Sequence, residues 1–366
     1  MPAGSDSVVK GACRSLFCSL LKWPLGNHGN YQKVDGYRVR RVLVMRHDGV
    51  RHMVASLPSF RLIKRLAPQC RLDVLASRNN LALAEACPDV DSAIEFPSGW
   101  LGRMGVISSL RKQNYDLILN LMFTGTSENG TVANLIGGKQ AVKVAHYRKL
   151  AHSVFYNVQA LSTNRGHSIW EKLPMMVADA FNGYADLTDL DPTLVTDPRH
   201  SEAALRTLQL LGMAEEPFVA LHCFTREAVC QWAEGAYAEL IPLIRMHLGF
   251  KVLLLCDRQG EAMAGRLKSR FPGVEVYPSG VPVLEQAALL AKAQVVVTPD
   301  ITLLQLCHAV GTRVVNLCPW MGKAQDLWRP VGPVPWRQIV APPGCGVQVI
   351  QVDRVWEAVS ELAVRY

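Results

Sequence analysis

The feature that most constrains this 366-residue chain is a repeated alternation of short apolar runs with stretches of helical periodicity. In RVRRVLVMRHDGV the run VLVM lies between basic residues and a His-Asp-Gly turn, as a parallel strand buried on both faces does. SLPSFRLIKRLAP then carries apolar residues at helical spacing, followed by a strand at RLDVLAS and a helix at NNLALAEAC. SAIEFP, MGVISSLRKQ, YDLILNLM, ENGTVANLIGG and AVKVAHY continue the series, and HSIWEKLPMMVADAFNG reads as a further helix. Turn-rich YADLTDLDPTLVTDPRHS breaks the pattern before the helix EAALRTLQLLG. A second series runs through PFVALHCF, FKVLLLCD, VEVYP, QVVVTPD and RVVNLCP, with helices such as GAYAELIPLIRMH, LEQAALLAKA and ITLLQLCHAVG between them. DRVWEAVSELAVRY closes the chain as an amphipathic helix. Strands alternating with helices imply parallel sheets covered on both faces. The expected fold class is therefore α/β, with two doubly wound Rossmann-like domains at 37–195 and 196–366 after an extension at 1–36.

Composition narrows the partners. Hydrophobic residues at 49% and charged residues at 19% supply two cores and exclude disorder of the whole chain. A formal charge of +8 favours anionic partners: nucleotides, phosphorylated glycans or acidic membranes. The basic residues are dispersed and no recognition motif stands out, so nucleic acid is not expected. No apolar stretch approaches the ~18 residues of a membrane span. Lys22 interrupts the run LFCSLL near the N-terminus, which reads poorly as a secretory signal. Ten cysteines without a CxxC pair suit buried thiols in a reducing compartment, and a cytoplasmic location is expected. His222, Cys223 and Cys230, or Cys307 and His308, lack zinc spacing, and no metal or other cofactor is expected. Within residues 8–24, Val8, Ala12, Leu16, Leu20 and Trp23 fall near one helical stripe with Lys10, Arg14 and Lys22. Such a segment either rests on an anionic inner-membrane surface or docks on the protein itself. No GxGxxG follows the first strand, which argues against a dehydrogenase.

The order and spacing of several segments resemble glycosyltransferase family 9, the lipopolysaccharide heptosyltransferases, over roughly residues 38–366. They are VLVMRHDGVRHMVASLPSFRLIKRLAPQCRLDVLAS, YDLILNL, GHSIWEKLPMM, VALHCFTREAVCQWAEGAYAELI, LEQAALLAKAQVVVTPDITLLQLCHAVGTRVVNL and VDRVWEAVSELA. The resemblance implies a GT-B architecture, two Rossmann-like domains facing across a cleft. It also implies a lipid-linked glycan acceptor on the amino domain, an ADP-sugar on the carboxyl domain, and inversion by single displacement. Epimerases and periplasmic binding proteins share such folds, so the site residues must carry the functional argument.

Site residues transfer position by position. The family's Gly-Asp pair, whose Asp is its proposed base, falls on Arg51 and His52 when counted back from Pro58. His52 thus stands at the base position, and an imidazole of ordinary pKa ~6.5 is able to accept a hydroxyl proton near neutrality. Asp48, before Gly49 in reversed order, is the alternative base; a partly exposed loop role for His52 is the bland one. Asp300 precedes ITLLQLCHAVG, where it serves either as N-cap or, as the resemblance implies, at the pyrophosphate site. Ile301, Thr302 and Gln305 replace the family's hydroxyl residue, Gly and His, with Thr302 and Gln305 as partial substitutes in donor binding. In HCFTREAVCQW, Thr225 and Arg226 match the turn that holds the phosphates, whereas Cys230 stands where a lysine is usual; Arg226 either supplies the missing charge or is a solvated loop arginine. Glu261 matches an acidic residue near the nucleoside, Trp232 reads as packing, and His167 with Glu171 form an i, i+4 pair. Two functions remain: a transferase using a nucleotide sugar, or a non-catalytic GT-B protein binding glycan, nucleotide or a partner enzyme.

Overall fold

The computed structural model describes residues 27, 34–123, 127–146, 154–160, 168–181, 183, 186, 191–322 and 326–364. The chain divides into two compact units, Met1–Leu190 and Asp191–Tyr366.

In the first unit β1 (Arg41–Arg46), β2 (Arg71–Ala76), β3 (Ser92–Glu95), β4 (Leu117–Asn120), β5 (Val142–His146) and β6 (Val158–Ala160) form one sheet. Its order is β3-β2-β1-β4-β5-β6, and every pairing is parallel. Every residue of β1 after Arg41 is buried, as its place at the centre of a sheet covered on both faces requires. The helices are α1 (Val50–Val54), α2 (Leu57–Leu66), α3 (Leu81–Glu85), α4 (Trp100–Arg111), α5 (Ser127–Gly137) and α6 (Ile169–Phe181). α2 turns Leu57, Phe60, Leu62 and Ile63 inward at helical spacing, and Pro58 sits in its first turn, where an N–H has no intrahelical acceptor. Among the described residues of the N-terminal stretch, one belongs to this core. Asn27 is buried; its amide donates to Asn134 Oδ1 at 2.8 Å and Val154 O at 2.9 Å, and its Oδ1 accepts from Lys143 Nζ at 3.0 Å. Burial pushes the Lys143 ammonium down to about 8, and the Asn27 and Ala141 oxygens satisfy it. Residues 8–24, read as an amphipathic segment, lie outside the described residues.

The second unit repeats the plan. β7 (Phe218–His222), β8 (Lys251–Leu255), β9 (Val274–Val276), β10 (Val295–Thr298), β11 (Val314–Cys318) and β12 (Trp336–Val340) lie in the order β12-β11-β10-β7-β8-β9, all parallel. Counted within the unit, this is the strand order of the first sheet. Its helices are α7 (Pro198–Leu210), α8 (Glu234–Leu243), α9 (Glu261–Arg270), α10 (Val283–Leu290), α11 (Ile301–Ala309) and α12 (Val352–Val364). α8 runs on into a π turn at Ile244–Leu248 and stops at Gly249, whose φ of 68° is the left-handed cap that glycine adopts without strain. Trp232 is wholly buried, stacked edge-on to Tyr237 at 4.9 Å, and its indole N–H donates to Ile350 O at 3.0 Å. It ties the start of α8 to the segment leading into α12, a packing role as its apolar bulk suggests. Among the described residues, no helix is long and apolar enough to cross a membrane.

Candidate active site

Doubly wound sheets bind ligands outside the carboxyl ends of their strands, where the strand order reverses. In these units the reversals fall between β1 and β4 and between β7 and β10. The candidate residues gather at both.

At the β1 end, Arg46 is fully buried and its guanidinium crosses the reversal: Nη1 donates to Leu121 O, just beyond β4, and Nε donates to His52 O at 3.0 Å. Nη1 also lies 3.4 Å from Asp48 Oδ2. His52, on α1, places Nδ1 3.6 Å from the same carboxylate oxygen, and both side chains keep about a fifth of their surface, 20% and 18%. The surrounding backbone is pinned. Asn80 Nδ2 donates to Arg46 O and Asp48 O at 2.9 and 3.1 Å, Ser77 Oγ to Asp48 O at 2.9 Å, and Ser56 Oγ to His52 O at 2.8 Å. Asp48 Oδ1 is buried and has no hydrogen-bond partner among the described residues. Burial raises the Asp48 carboxyl above its usual range against the pull of Arg46. Burial, with Arg46 and Arg51, drives the His52 imidazole down to about 3, so it is neutral at physiological pH and, in the unliganded site, a weaker base than the ordinary imidazole expected from the sequence. His47 stacks on Phe96 at 4.7 Å, Arg103 covers the same ring at 4.9 Å, and burial lowers His47 to about 4.

At the β7 and β10 ends a chain of polar contacts leads to α11. His222 Nδ1 is 3.3 Å from the Thr298 hydroxyl, which accepts from Asp300 N at 3.0 Å, and Asp300 Oδ1 caps α11 by accepting from Leu303 N at 2.9 Å. Burial keeps His222 neutral, against the pull of Asp300 and Asp257. The amides of Ile301 and Thr302 precede the first intrahelical bond, Leu304 N to Asp300 O at 3.1 Å, and give this end its affinity for anions. After β7, Thr225 N donates to Gln231 Oε1 at 2.9 Å and its hydroxyl to Glu227 O at 3.3 Å. Arg226 is exposed and pairs through Nε with Asp257 Oδ2 at 3.1 Å. Glu261 opens α9 and accepts from the Ser279 hydroxyl. Gly260 lets this turn close on the Thr225 loop, because a Cβ there would lie 2.4 Å from Phe224 Cβ. Cys230 is half-buried, and burial with Glu227 beside it raises its thiol to about 11, leaving it no charge to offer a phosphate.

Thr225, Arg226, Asp300 and Thr302 therefore share the carboxyl edge of one sheet, with Glu261 at the start of the helix after β8. Gln305 does not open to this surface: it is wholly buried and its amide donates to Trp328 O at 2.9 Å, supporting the 326–328 turn. Its expected contact with a donor phosphate is replaced by that structural bond. Glu171 accepts from Ser168 N at 2.6 Å at the start of α6, while His167 lies outside the described residues. Sequence reading passed over Arg46 and Thr298 and considered His222 only as a metal ligand. Their shared signal is a polar residue at the last position of a strand whose interior is apolar.

A family model described as glycosyltransferase family 9 (heptosyltransferase) matches residues 103–324, more than half of the chain. Nothing matches among curated protein sequences. Among solved structures, a family 9 glycosyl transferase from Veillonella parvula is 13% identical, with a TM-score of 0.78 over 91% of this chain and 99% of that one. The E. coli ADP-heptose lipopolysaccharide heptosyltransferase II is 19% identical, with a TM-score of 0.72 over 89% and 99%. E. coli heptosyltransferase WaaC with ADP-2-deoxy-2-fluoro heptose is 20% identical, with a TM-score of 0.68 over 88% and 99%. At these identities the likeness carries the GT-B fold, and the family model carries the family. With two parallel doubly wound sheets and its candidate residues at their reversal points, this chain belongs to glycosyltransferase family 9, the heptosyltransferases.

Proposed function

We propose that this protein transfers a heptose or related sugar, with inversion, from an ADP-linked donor to a lipopolysaccharide core or related surface glycan. The observation that carries the reading is the division of chemistry between two equivalent reversal points. One presents a neutral imidazole and a carboxylate, the other a capped helix start with an arginine and hydroxyls. An imidazole is suited to take a proton from an acceptor hydroxyl. Helix amides and a guanidinium are suited to hold a diphosphate as the charge on it grows. ADP is the expected nucleotide because WaaC has been solved with ADP and with an ADP-heptose analogue. His52 acts as general base; Thr225, Arg226, Asp300 and Thr302 hold the diphosphate; Glu261 meets the nucleoside. The acceptor is lipid-linked, and residues 8–24 rest on the cytoplasmic face of the inner membrane.

Titration of ADP-, UDP- and GDP-sugars into the full-length protein tests donor class, and release of nucleoside diphosphate with a lipid-linked glycan acceptor tests turnover. His52→Ala should lower kcat by about 100- to 10,000-fold with donor affinity nearly unchanged, and His52→Asp, which restores the family's residue, should retain activity. Turnover by His52→Ala equal to that of the parent refutes the assignment. A second reading, a non-catalytic nucleotide- or glycan-binding protein, is favoured by Cys230 in a lysine's place and by the burial of Gln305. Nucleotide binding without turnover in any variant would establish it.

A further inference from the structure

We propose that Cys223 and Cys256 are a dithiol that hydrogen peroxide closes reversibly into a disulfide, joining the Thr225 loop to the turn that begins at Asp257. The two residues follow neighbouring strands: β7 ends at His222 and β8 at Leu255, which stand opposite each other in the parallel register. The ladder runs one step further, because Cys223 N donates to Leu255 O at 3.0 Å, and this sets Cys223 opposite Cys256. Neighbouring strands lie about 4.8 Å apart, inside the ~4.4–6.8 Å between Cα atoms that a disulfide spans. Cys223 Sγ also lies 3.5 Å from Leu255 O, so its side chain leans toward β8. Both side chains pack on the same core cluster, Cys223 wholly buried and Cys256 half-buried, and the two thiols hydrogen-bond each other.

That contact makes the pair unequal. It lowers the Cys256 thiol from its ordinary value, against burial and the charges of Glu261 and Asp257, and together with burial it raises Cys223. Cys256 is also the one of the two that solvent reaches, and the thiolate is the form that attacks an oxidant. In the first step the Cys256 sulfur bonds one peroxide oxygen as the O–O bond breaks, and the departing hydroxide leaves as water with the thiol proton. The product is a sulfenic acid. Cys223 Sγ then attacks the Cys256 sulfur, the S–O bond breaks, and the Cys223 proton leaves with that oxygen as a second water. The two sulfurs lose two electrons and the peroxide gains them; two equivalents of a small thiol reverse the bond. Forming the bond pulls the sulfurs from hydrogen-bonding to covalent distance, and the packing around Cys256 leaves little slack: a Cβ on Gly260 would lie 2.8 Å from Cys256 Cβ and 2.4 Å from Phe224 Cβ. The same turn carries Asp257, which holds Arg226 and the amides of Gln259 and Gly260. Oxidation therefore displaces the loop that carries Arg226, and on the donor-site reading above, on which this consequence rests, it weakens ADP binding.

The test exposes the full-length folded protein to hydrogen peroxide, blocks the remaining thiols and maps peptides by mass spectrometry, for the parent, Cys223→Ser and Cys256→Ser. A peptide linked through Cys223 and Cys256 should form in the parent and disappear with dithiothreitol. Cys223→Ser should stop at a Cys256 sulfenic acid that dimedone traps, and Cys256→Ser should leave Cys223 reduced. This arm needs no nucleotide, so it decides the pairing even if ADP binds neither redox form, an outcome that would sink the donor reading alone. In titrations the oxidised parent should bind ADP about tenfold more weakly than the reduced protein, as on losing one charge-assisted hydrogen bond, and should recover on reduction; Cys256→Ser should bind ADP equally before and after peroxide. Cys256 that stays reduced while the half-buried Cys230 and Cys345 oxidise, a linked peptide that forms only in urea, or a different pairing overturns the proposal. A linked parent that binds ADP as tightly as the reduced one refutes the coupling to the Arg226 loop. If Cys223→Ser does not fold, Cys223→Ala, which keeps the buried position apolar, takes its place, and the linked peptide of the parent is scored in either case.

Discussion

Replacing Arg226 with alanine separates a binding role from a structural one. The guanidinium is 74% exposed and lies 3.1 Å from Asp257, a surface ion pair that contributes about 0–1 kcal/mol to folding. A charge-assisted hydrogen bond to a diphosphate contributes about 1.5–3 kcal/mol. At 1.4 kcal/mol per decade, its removal weakens ADP binding roughly 10- to 150-fold, while the urea midpoint moves little. Asp257→Asn is the opposite perturbation. Asp257 Oδ1 accepts from Gln259 N at 2.9 Å and Gly260 N at 3.1 Å, and an asparagine oxygen keeps both bonds while losing the charge that competes for Arg226. ADP should then bind up to about 5-fold more tightly at low salt, the affinity equivalent of a surface pair, with the gain fading as salt screens it. Isothermal titration of ADP into the three proteins reads both effects. Unchanged affinity in Arg226→Ala removes Arg226 from the site; a large fall in its urea midpoint refutes the claim that the pair is structurally minor.

Asp300→Ala removes the acceptor for Leu303 N and should lower stability in urea by about 1 kcal/mol, most of it recovered by Asp300→Ser; equal midpoints refute the cap. Burial holds His47, His52 and His308 at about 4, 3 and 4 in the folded chain. Unfolded imidazoles titrate near 6.5, so as pH drops below that value the unfolded chain binds protons that the folded one refuses. Stability should therefore fall from about pH 6.5 to about pH 4, by up to ~1.4 kcal/mol per pH unit per group, and His308→Gln should flatten the fall; an unaltered slope in urea titrations counts against it. Flotation with anionic liposomes compares the full chain with one shortened to begin at Leu25, a cut that keeps Asn27. Equal flotation removes the membrane role of residues 8–24.

Most of the fold was legible because central parallel strands must be continuously apolar, as VLVM and VVV are. Two of the four edge strands, β6 and β12, were not. β12, WRQIV, is only partly buried and alternates no apolar face, and the three residues VQA of β6 carry too short a pattern to register. The start of α7 was also missed by four residues, although Asp197 caps it and Pro198 follows, an N-terminal signature in plain view. Family spacing singled out His52, Asp300 and Arg226 as candidates, but spacing is blind to where side chains turn. Gln305 is one turn into α11 and points into the core; Arg46, which resembles any basic residue flanking a strand, is the buried brace of the amino site.

The bond between Asn27 and Lys143 also sets a tether length. Asn27 is moored beside β5, and four peptide links separate it from Trp23, a reach of at most about 15 Å at 3.8 Å per link. A segment ending at Trp23 that lay on a bilayer would hold the β5 side of the amino unit within that distance of the lipid surface. The unit would be berthed in one orientation, with little slack to swing, and an acceptor embedded in the same leaflet would meet it at a nearly constant height.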